Sequence, residues 1–225
     1  MSKLKWVGHS TVILETNNGL VIVIDPWIKG NPMNPVKELP GKVDVILITH
    51  DHSDHVGDAI ELSINTGAKV IAQPETISRL NNEGLPAKNS VKMNIGGTFS
   101  AEDFKATMVH AFHTSATGAP TGYMIQIDGK IVYHLGDTGL FGDLRLFGEL
   151  YDIDYALIPV GGHFTMDYKH GCIAATLLNA KKVIPTHYGT FPILLQDANL
   201  FVDELKSLNH KIEVLVLDLG ESIEL

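Results

Sequence analysis

Short apolar runs, mostly β-branched, recur along the chain at Val21–Ile24 and at residues 45–48, 70–72, 107–109, 131–133, 155–160, 183–184 and 214–217. Runs this short and this uniformly apolar predict strands buried on both faces. Helical patterns lie between several of them. Ala59–Thr66 stops at Gly67, and residues 75–82 open after Pro74 and stop at Gly84. Residues 198–208 have Asp197 as an N-cap and an apolar stripe at Leu200, Phe201, Leu205 and Leu208. Strands alternating with helices predict a layered α/β domain.

Two stretches look alike. Residues 11–25 (TVILETNNGLVIVID) and 123–137 (YMIQIDGKIVYHLGD) each place Asn-Gly or Asp-Gly between two strand-like runs, a hairpin signal. Downstream, VDVILITH at 43–50 is similar to IDYALIPV at 153–160. The repeated order of hairpin, Asp and buried strand reads as a weak internal duplication, which would give two sheets related by a pseudo-twofold. Chance similarity between α/β segments is the competing explanation. With no linker, low-complexity tract or charge block to divide it, the chain is expected to form one domain over residues 1–225.

Composition narrows the class. Apolar residues make up 44% and charged residues 19%, the profile of a folded domain with a sizeable core. The net charge of −9 argues against a broad basic surface for long nucleic acid. The single cysteine, Cys172, excludes an intrachain disulfide and a cysteine-based zinc cluster, and within CIAATLL it reads as core. The opening MSKLKWVGHS lacks the apolar run of a signal peptide, and nowhere do 18 apolar residues follow one another. A cytoplasmic protein without a membrane span is the expectation.

The 11 histidines are many for this length, and their placement is more telling than their number. The apolar runs end successively in Asp25, His50, His113, Asp137, His163 and His187. Ligands of open α/β sheets collect at the carboxyl ends of strands, so the pattern implies one shared site built from distant segments. The densest piece is His50-Asp51-His52-Ser53-Asp54-His55. If the preceding strand carries on to His52, period two puts His50 and His52 on one side. A turn into a helix beginning near Val56 would then aim Asp54 and His55 at a neighbouring point. Two adjacent clusters of N and O donors suit a dinuclear site, with metals roughly 3.5–4 Å apart. Neutral imidazole accommodates Zn, Mn, Fe or Ni, and a carboxylate can bridge two of them. A merely His-rich polar loop is the bland alternative, and the four candidate ligands His50, His52, Asp54 and His55 within six positions weigh against it.

His-x-His-x-Asp-His after a buried strand resembles the signature of the metallo-β-lactamase superfamily. The likeness extends through WVGHSTVIL, VIDPW, THDHSDHVGD, AFHTS, YHLGDTGLF and IPTHYGTFP. Together these are similar to the short metal-dependent hydrolases related to L-ascorbate 6-phosphate lactonase. The resemblance implies a four-layered αββα sandwich and two divalent cations, Zn foremost, with Mn, Ni or Fe as alternatives. It implies His50, His52 and His113 at the first metal, Asp54, His55 and His187 at the second, and Asp137 bridging the two. His52 stands where the diiron flavoprotein branch has Glu. Asp137 within Gly-Asp-Thr matches the bridging acid of glyoxalase II and phosphodiesterase-type members. Gly161-Gly162-His163-Phe164 stands where relatives carry Gly-Asp before an aromatic residue, which leaves the role of this loop open.

Other residues are candidates for supporting roles. His110 competes with His113, and on a strand over 107–112 only one of them can point inward. Asp25 either caps the turn at Pro26-Trp27 or fixes the ring of a metal-bound histidine. His9 is a proton donor near the metals or a turn histidine. His163 and Tyr188 are candidates for contacting an oxyanion or leaving group, and His134 for a packed, supporting place. His170 and His210 receive no role. The Pro-rich loop 30–40 is expected at the pocket mouth.

These parts predict metal-dependent hydrolysis of a small phosphodiester, lactone or other ester by a bridging hydroxide. Asp54 and Asp137 would hold the nucleophile, with His9 and His163 as further catalytic candidates. Neither a G-x-S-x-G elbow nor a Walker-type loop is present to suggest another chemistry. A metal-dependent sensor or binding module and a mononuclear iron redox enzyme are the alternative readings.

Overall fold

The computed structural model describes residues 1–34, 36–101, 104–208 and 211–225; His210, and Pro35 of the loop 30–40, lie outside them. The apolar runs become strands. One sheet contains β1 (Lys3–Gly8), β2 (Thr11–Glu15), β3 (Val21–Ile24), β4 (Val45–Leu47), β5 (Lys69–Ala72), β6 (Ser90–Lys92) and β14 (Ser222–Glu224), in the order β14-β1-β2-β3-β4-β5-β6. The other contains β7 (Thr98–Ala101), β8 (Phe104–His110), β9 (Thr121–Ile127), β10 (Lys130–His134), β11 (Tyr155–Pro159), β12 (Lys182–Thr186) and β13 (Glu213–Val214), in the order β13-β12-β11-β10-β9-β8-β7. Helices α1 (Ser53–Val56), α2 (Ala59–Thr66) and α3 (Pro74–Asn82) belong to the first half of the chain. Helices α4 (Leu144–Leu150), α5 (Tyr168–Leu178) and α6 (Asn199–Leu208) belong to the second.

Alternation along the strands builds the layers. On β3 and β4, Ile22, Ile24, Val45 and Leu47 face the other sheet and pack with Ala106, Met108 and Ile125, all buried. The intervening Val23 and Ile46 point outward and pack with Leu62, Ile77 and Leu80 of α2 and α3. Behind the second sheet, Leu144, Cys172, Leu178 and Phe201 complete the core. Each buried aliphatic side chain contributes about 1.5–3 kcal/mol. The result is the expected αββα sandwich, and among the described residues no helix is long and apolar enough to cross a membrane.

The two halves repeat one another. From β14 to β6 the pairings run antiparallel three times and then parallel three times, and the same sequence of pairings runs from β7 to β13. The repeat reaches individual hydrogen bonds. The Asp44 carboxylate accepts from the Val21 N–H at 2.8 Å, and that of Asp154 accepts from the Ile131 N–H at 2.9 Å. The hairpins differ in their turns. Asp128 and Gly129 form a two-residue turn with φ of 47° and 80°, the mirror-image type that matches strand twist, whereas five residues separate β2 from β3.

Two expectations need correction. Of the run 214–217, only Val214 pairs within a strand. On α6, Phe201 and Leu205 are buried, but Leu200 is 50% exposed and Leu208 55%. Leu200 lies about 100° round the helix from Phe201, and Leu208 is the last residue of the helix.

At one end of the sandwich, side chains lock the sheets together. The Tyr123 hydroxyl donates to the carbonyls of Ile48 (2.9 Å) and Ile71 (3.2 Å), and Thr121 Oγ1 donates to Thr49 O at 2.7 Å. The site stands on this end.

Candidate metal centre

Each chemistry-bearing residue follows a strand. His9 follows β1, Asp25 β3, the segment 49–55 β4, His113 β8, Asp137 β10 and His187 β12. The strand before His50 is shorter than expected: β4 ends at Leu47, and His50 and His52 project from extended chain beyond it. Helix α1 also starts earlier than Val56. His52 is its N-cap residue, with φ −67° and ψ 151°, so Asp54 and His55 lie in its first turn.

Three residues here adopt left-handed backbone conformations without being glycine: His9 (φ 54°), Asp25 (φ 48°) and His187 (φ 57°). Such strain persists where the surroundings over-determine it, and it clusters at functional sites. Gly161 shows one constraint: a Cβ there would lie 2.0 Å from the His187 carbonyl oxygen.

The side chains converge in three overlapping groups whose donor atoms lie within 4.8 Å of one another. His50, His52 and His113 form one, His9, Asp54, His55 and His187 a second, and His50, His55 and Asp137 a third. Asp137 stands between the first two. Its Oδ2 lies 3.0 Å from His187 Nε2, 3.3 Å from His55 Nε2 and 3.7 Å from His113 Nε2. His9 thus joins the group expected from Asp54, His55 and His187, with its Nε2 3.2 Å from Asp54 Oδ2.

Hydrogen bonds on the far side of each ring set its orientation. His55 Nδ1 donates to Asp25 Oδ2 at 2.7 Å. Thr49 Oγ1 donates to the same oxygen at 2.6 Å and so accepts from His50 Nδ1 at 3.1 Å. His9 Nδ1 contacts Thr190 Oγ1 at 2.9 Å, and that hydroxyl has the Tyr188 carbonyl as acceptor at 3.3 Å. These bonds turn the Nε2 atoms of His9, His50 and His55 toward the centre, the arrangement in which metal-binding histidines are held.

Charge follows the same plan. Burial lowers the pKa of His9 to about 4 and that of His50 well below its ordinary value; burial also lowers His113. These imidazoles are neutral at pH 7, as ligands must be. Burial opposes ionisation of Asp137 and Asp54, but neighbouring histidines outweigh it and hold both carboxyls below the usual range. Burial also opposes a charged His55, yet Asp137 and Asp25 on either side overcome it and raise its pKa well above normal. The position between those carboxylates therefore calls for positive charge. His55 Nε2 is buried without a hydrogen-bond partner among the described residues. An orphaned nitrogen, ionised carboxylates and neutral imidazoles together fit a metal cation.

Sequence reasoning assigned nothing to Asp51, yet it shapes the centre. Its carboxylate accepts from Ser115 Oγ (2.7 Å), Ala116 N (2.6 Å) and Arg79 Nη1 (3.0 Å), tying down the loop that carries His113. The hydroxyl residues of Ser115-Ala116-Thr117 were the available signal. Thr49 and Thr190 were missed in the same way. Asp25 combines both expected roles, its carbonyl accepting from Trp27 N at 2.8 Å while its carboxylate holds His55. His134 is packed as expected, accepting from Gly136 N at 3.1 Å and donating to Ser10 O at 2.9 Å.

Other candidates lie elsewhere. His110 pairs with Asp143 at 3.3 Å. His163 is exposed, and its neighbour Phe164 lines the cavity in its place. Tyr188 is stacked on Trp6 at 5.4 Å, where burial raises its hydroxyl to about 12. The described part of loop 30–40 borders a separate groove, with Asn34, Val36 and Glu38 in its wall. His170 is exposed on α5.

The centre opens into a cavity of about 780 Å³. His52, Asp54, His113, Asp137 and His187 form its floor, and Trp27, Phe164, Phe191 and Ile193 its apolar wall.

The profile of the beta-lactamase superfamily domain matches residues 21–188. A UPF0173 metal-dependent hydrolase from Anoxybacillus flavithermus is 44% identical over 233 residues, covering 99% of this chain and 100% of that protein. The chain belongs to the UPF0173 metal-dependent hydrolases. The structure of Igni18, a metallo hydrolase from Ignicoccus hospitalis, superposes on this hydrolase with a TM-score of 0.89 at 39% identity, covering 99% of this chain and 97% of that one. The metallo-β-lactamase fold protein YhfI from Bacillus subtilis shares the fold, with a TM-score of 0.79 at 13% identity over the whole of both chains.

Proposed function

We propose that the whole chain acts as one metallo-hydrolase domain with a dinuclear centre, cleaving a small phosphodiester, lactone or other ester. One cation would be held by His50, His52 and His113, the other by Asp54, His55 and His187, with His9 as a further donor and Asp137 between the two. Bound there, two divalent cations, Zn foremost, would supply Lewis acidity and an activated water. The observation that carries this reading is a pair of donor groups flanking one carboxylate, Asp137, which clusters with His50 of one group and His55 of the other at the floor of an open cavity.

The chain's own residues supply the rest. Asp54 and Asp137, ionised at neutral pH, accept hydrogen bonds from a water held at the floor and orient it toward substrate. Trp27 and Phe191, with ring centroids 5.8 Å apart, give the cavity an apolar side against which the substrate can be held. Ligands drawn from both halves support the single-domain reading.

The test is turnover of chromogenic phosphodiester, lactone and ester substrates by metal-reconstituted protein beside Asp137→Ala. The variant is expected to lose more activity than the roughly 10–100-fold typical of an outer-shell change. Equal turnover by both proteins would contradict the assignment.

A further inference from the structure

The upper cavity is chemically one-sided. Above the floor stand Trp27, Phe164, Phe191 and Ile193, and the neutral polar groups of the lining are Ser53 and Thr114. Among the described residues no Lys or Arg lines it, and its fixed charges are the carboxylates of Asp54 and Asp137. Phe164 is 53% exposed and Ile193 55%, so the rim presents large apolar side chains to water. Trp27 and Phe191 both pack edge-on against the His9 ring, at 5.2 and 5.7 Å, and the apolar wall reaches down to the donor groups.

From this lining we infer that the hydrolase takes an uncharged ester or lactone with an apolar body, selected by Trp27, Phe164, Phe191 and Ile193. The inference rests on the hydrolytic reading of the same centre. An anionic group remote from the scissile bond would be desolvated in the cavity, where burying a charge is unfavourable without a partner. The described lining would meet it with rings, an aliphatic side chain and two carboxylates. The cationic ground is confined to the floor, where the scissile group itself must sit. An apolar chain or ring instead covers the exposed faces of Phe164 and Ile193 and removes them from water. Each methylene so buried contributes a roughly four-fold gain in kcat/KM, from the transfer free energy of a CH2 group.

The experiment measures kcat/KM of metal-reconstituted protein on p-nitrophenyl acetate, butyrate and hexanoate, on the p-nitrophenyl monoester of hexanedioic acid, and on bis(p-nitrophenyl) phosphate. The expected result is a rise of about four-fold per methylene along the neutral series, with the carboxylate-ended ester well below the hexanoate. Ile193→Lys, a change at an exposed rim position, is expected to raise the ratio of carboxylate-ended to neutral ester about three- to five-fold, as an exposed ion pair allows. A flat chain-length series, or a carboxylate-ended ester as good as the hexanoate, overturns this inference and leaves the hydrolytic reading standing. So does turnover of the phosphodiester without turnover of any ester. Turnover of none of these substrates, nor of the chromogenic lactone, overturns both.

Discussion

Oδ2 of Asp25 lies 2.7 Å from Nδ1 of His55, and both side chains are fully buried. The same oxygen accepts from Thr49 Oγ1, which in turn holds His50 Nδ1. One carboxylate thereby orients an imidazole from each donor group. Asp25→Asn places an amide NH2 either against both the His55 Nδ1–H and the Thr49 hydroxyl or, flipped, against the Thr49 N–H that Oδ1 accepts at 2.8 Å. Metal affinity is expected to fall about 10–100-fold, and the metal-free protein to lose roughly 1–3 kcal/mol of stability. Competition with a chelator and urea unfolding check the two parts; unchanged affinity would remove Asp25 from the centre.

Gly161→Ala tests the close approach beneath His187. The added Cβ, 2.0 Å from the His187 carbonyl oxygen, would displace backbone rather than a flexible side chain. A loss of about 1–3 kcal/mol is expected, read as a fall in Tm of about 2–4 °C for each kcal/mol. Metal content should fall as well, since His187 already occupies a left-handed conformation. A variant with unaltered Tm and metal content would show that this loop yields freely.

Asp154 gives a pH dependence away from the centre. Burial works against its ionisation, but the Ile131 N–H and the Lys181 ammonium, 3.0 Å away, hold its carboxyl below the usual value. A folded-state pKa below the unfolded value of about 3.9 means stability present above that pH and lost as pH falls through the folded pKa. The stability advantage of the native protein over Asp154→Asn should therefore be constant from about pH 7 to 5 and shrink below pH 4. Denaturant titrations at these pH values decide it; an advantage unchanged at pH 3 would contradict the assignment.

Much of this was legible in the chain. Uniformly apolar runs located the central strands because those are buried on both faces, whereas the edge strands β6, β7 and β14 carry exposed side chains and left no such run. The hairpin-Asp-strand repeat anticipated that the two sheets repeat one another. The convergence of the seven residues proposed here as donors was legible because each follows a run at a strand end. What was not legible depends on contacts between distant loops. Asp51, Thr49 and Thr190 act by holding a ring or a loop from elsewhere in the chain, and nothing in their local sequence marks that. The same limit explains His163 and Tyr188. Both follow strands, but the turn after β11 offers Phe164 to the cavity and the Tyr188 ring finds Trp6.

The central claim is that two cations share Asp137, and metal stoichiometry tests it most directly. The native protein, His113→Ala and His187→Ala are saturated with Zn, freed of loosely bound ion and assayed for metal by mass spectrometry. The expected result is about two equivalents for the native chain and about one for each variant, because each removes a donor from only one group. A native chain holding a single equivalent, lost in one variant and untouched in the other, would contradict the dinuclear centre.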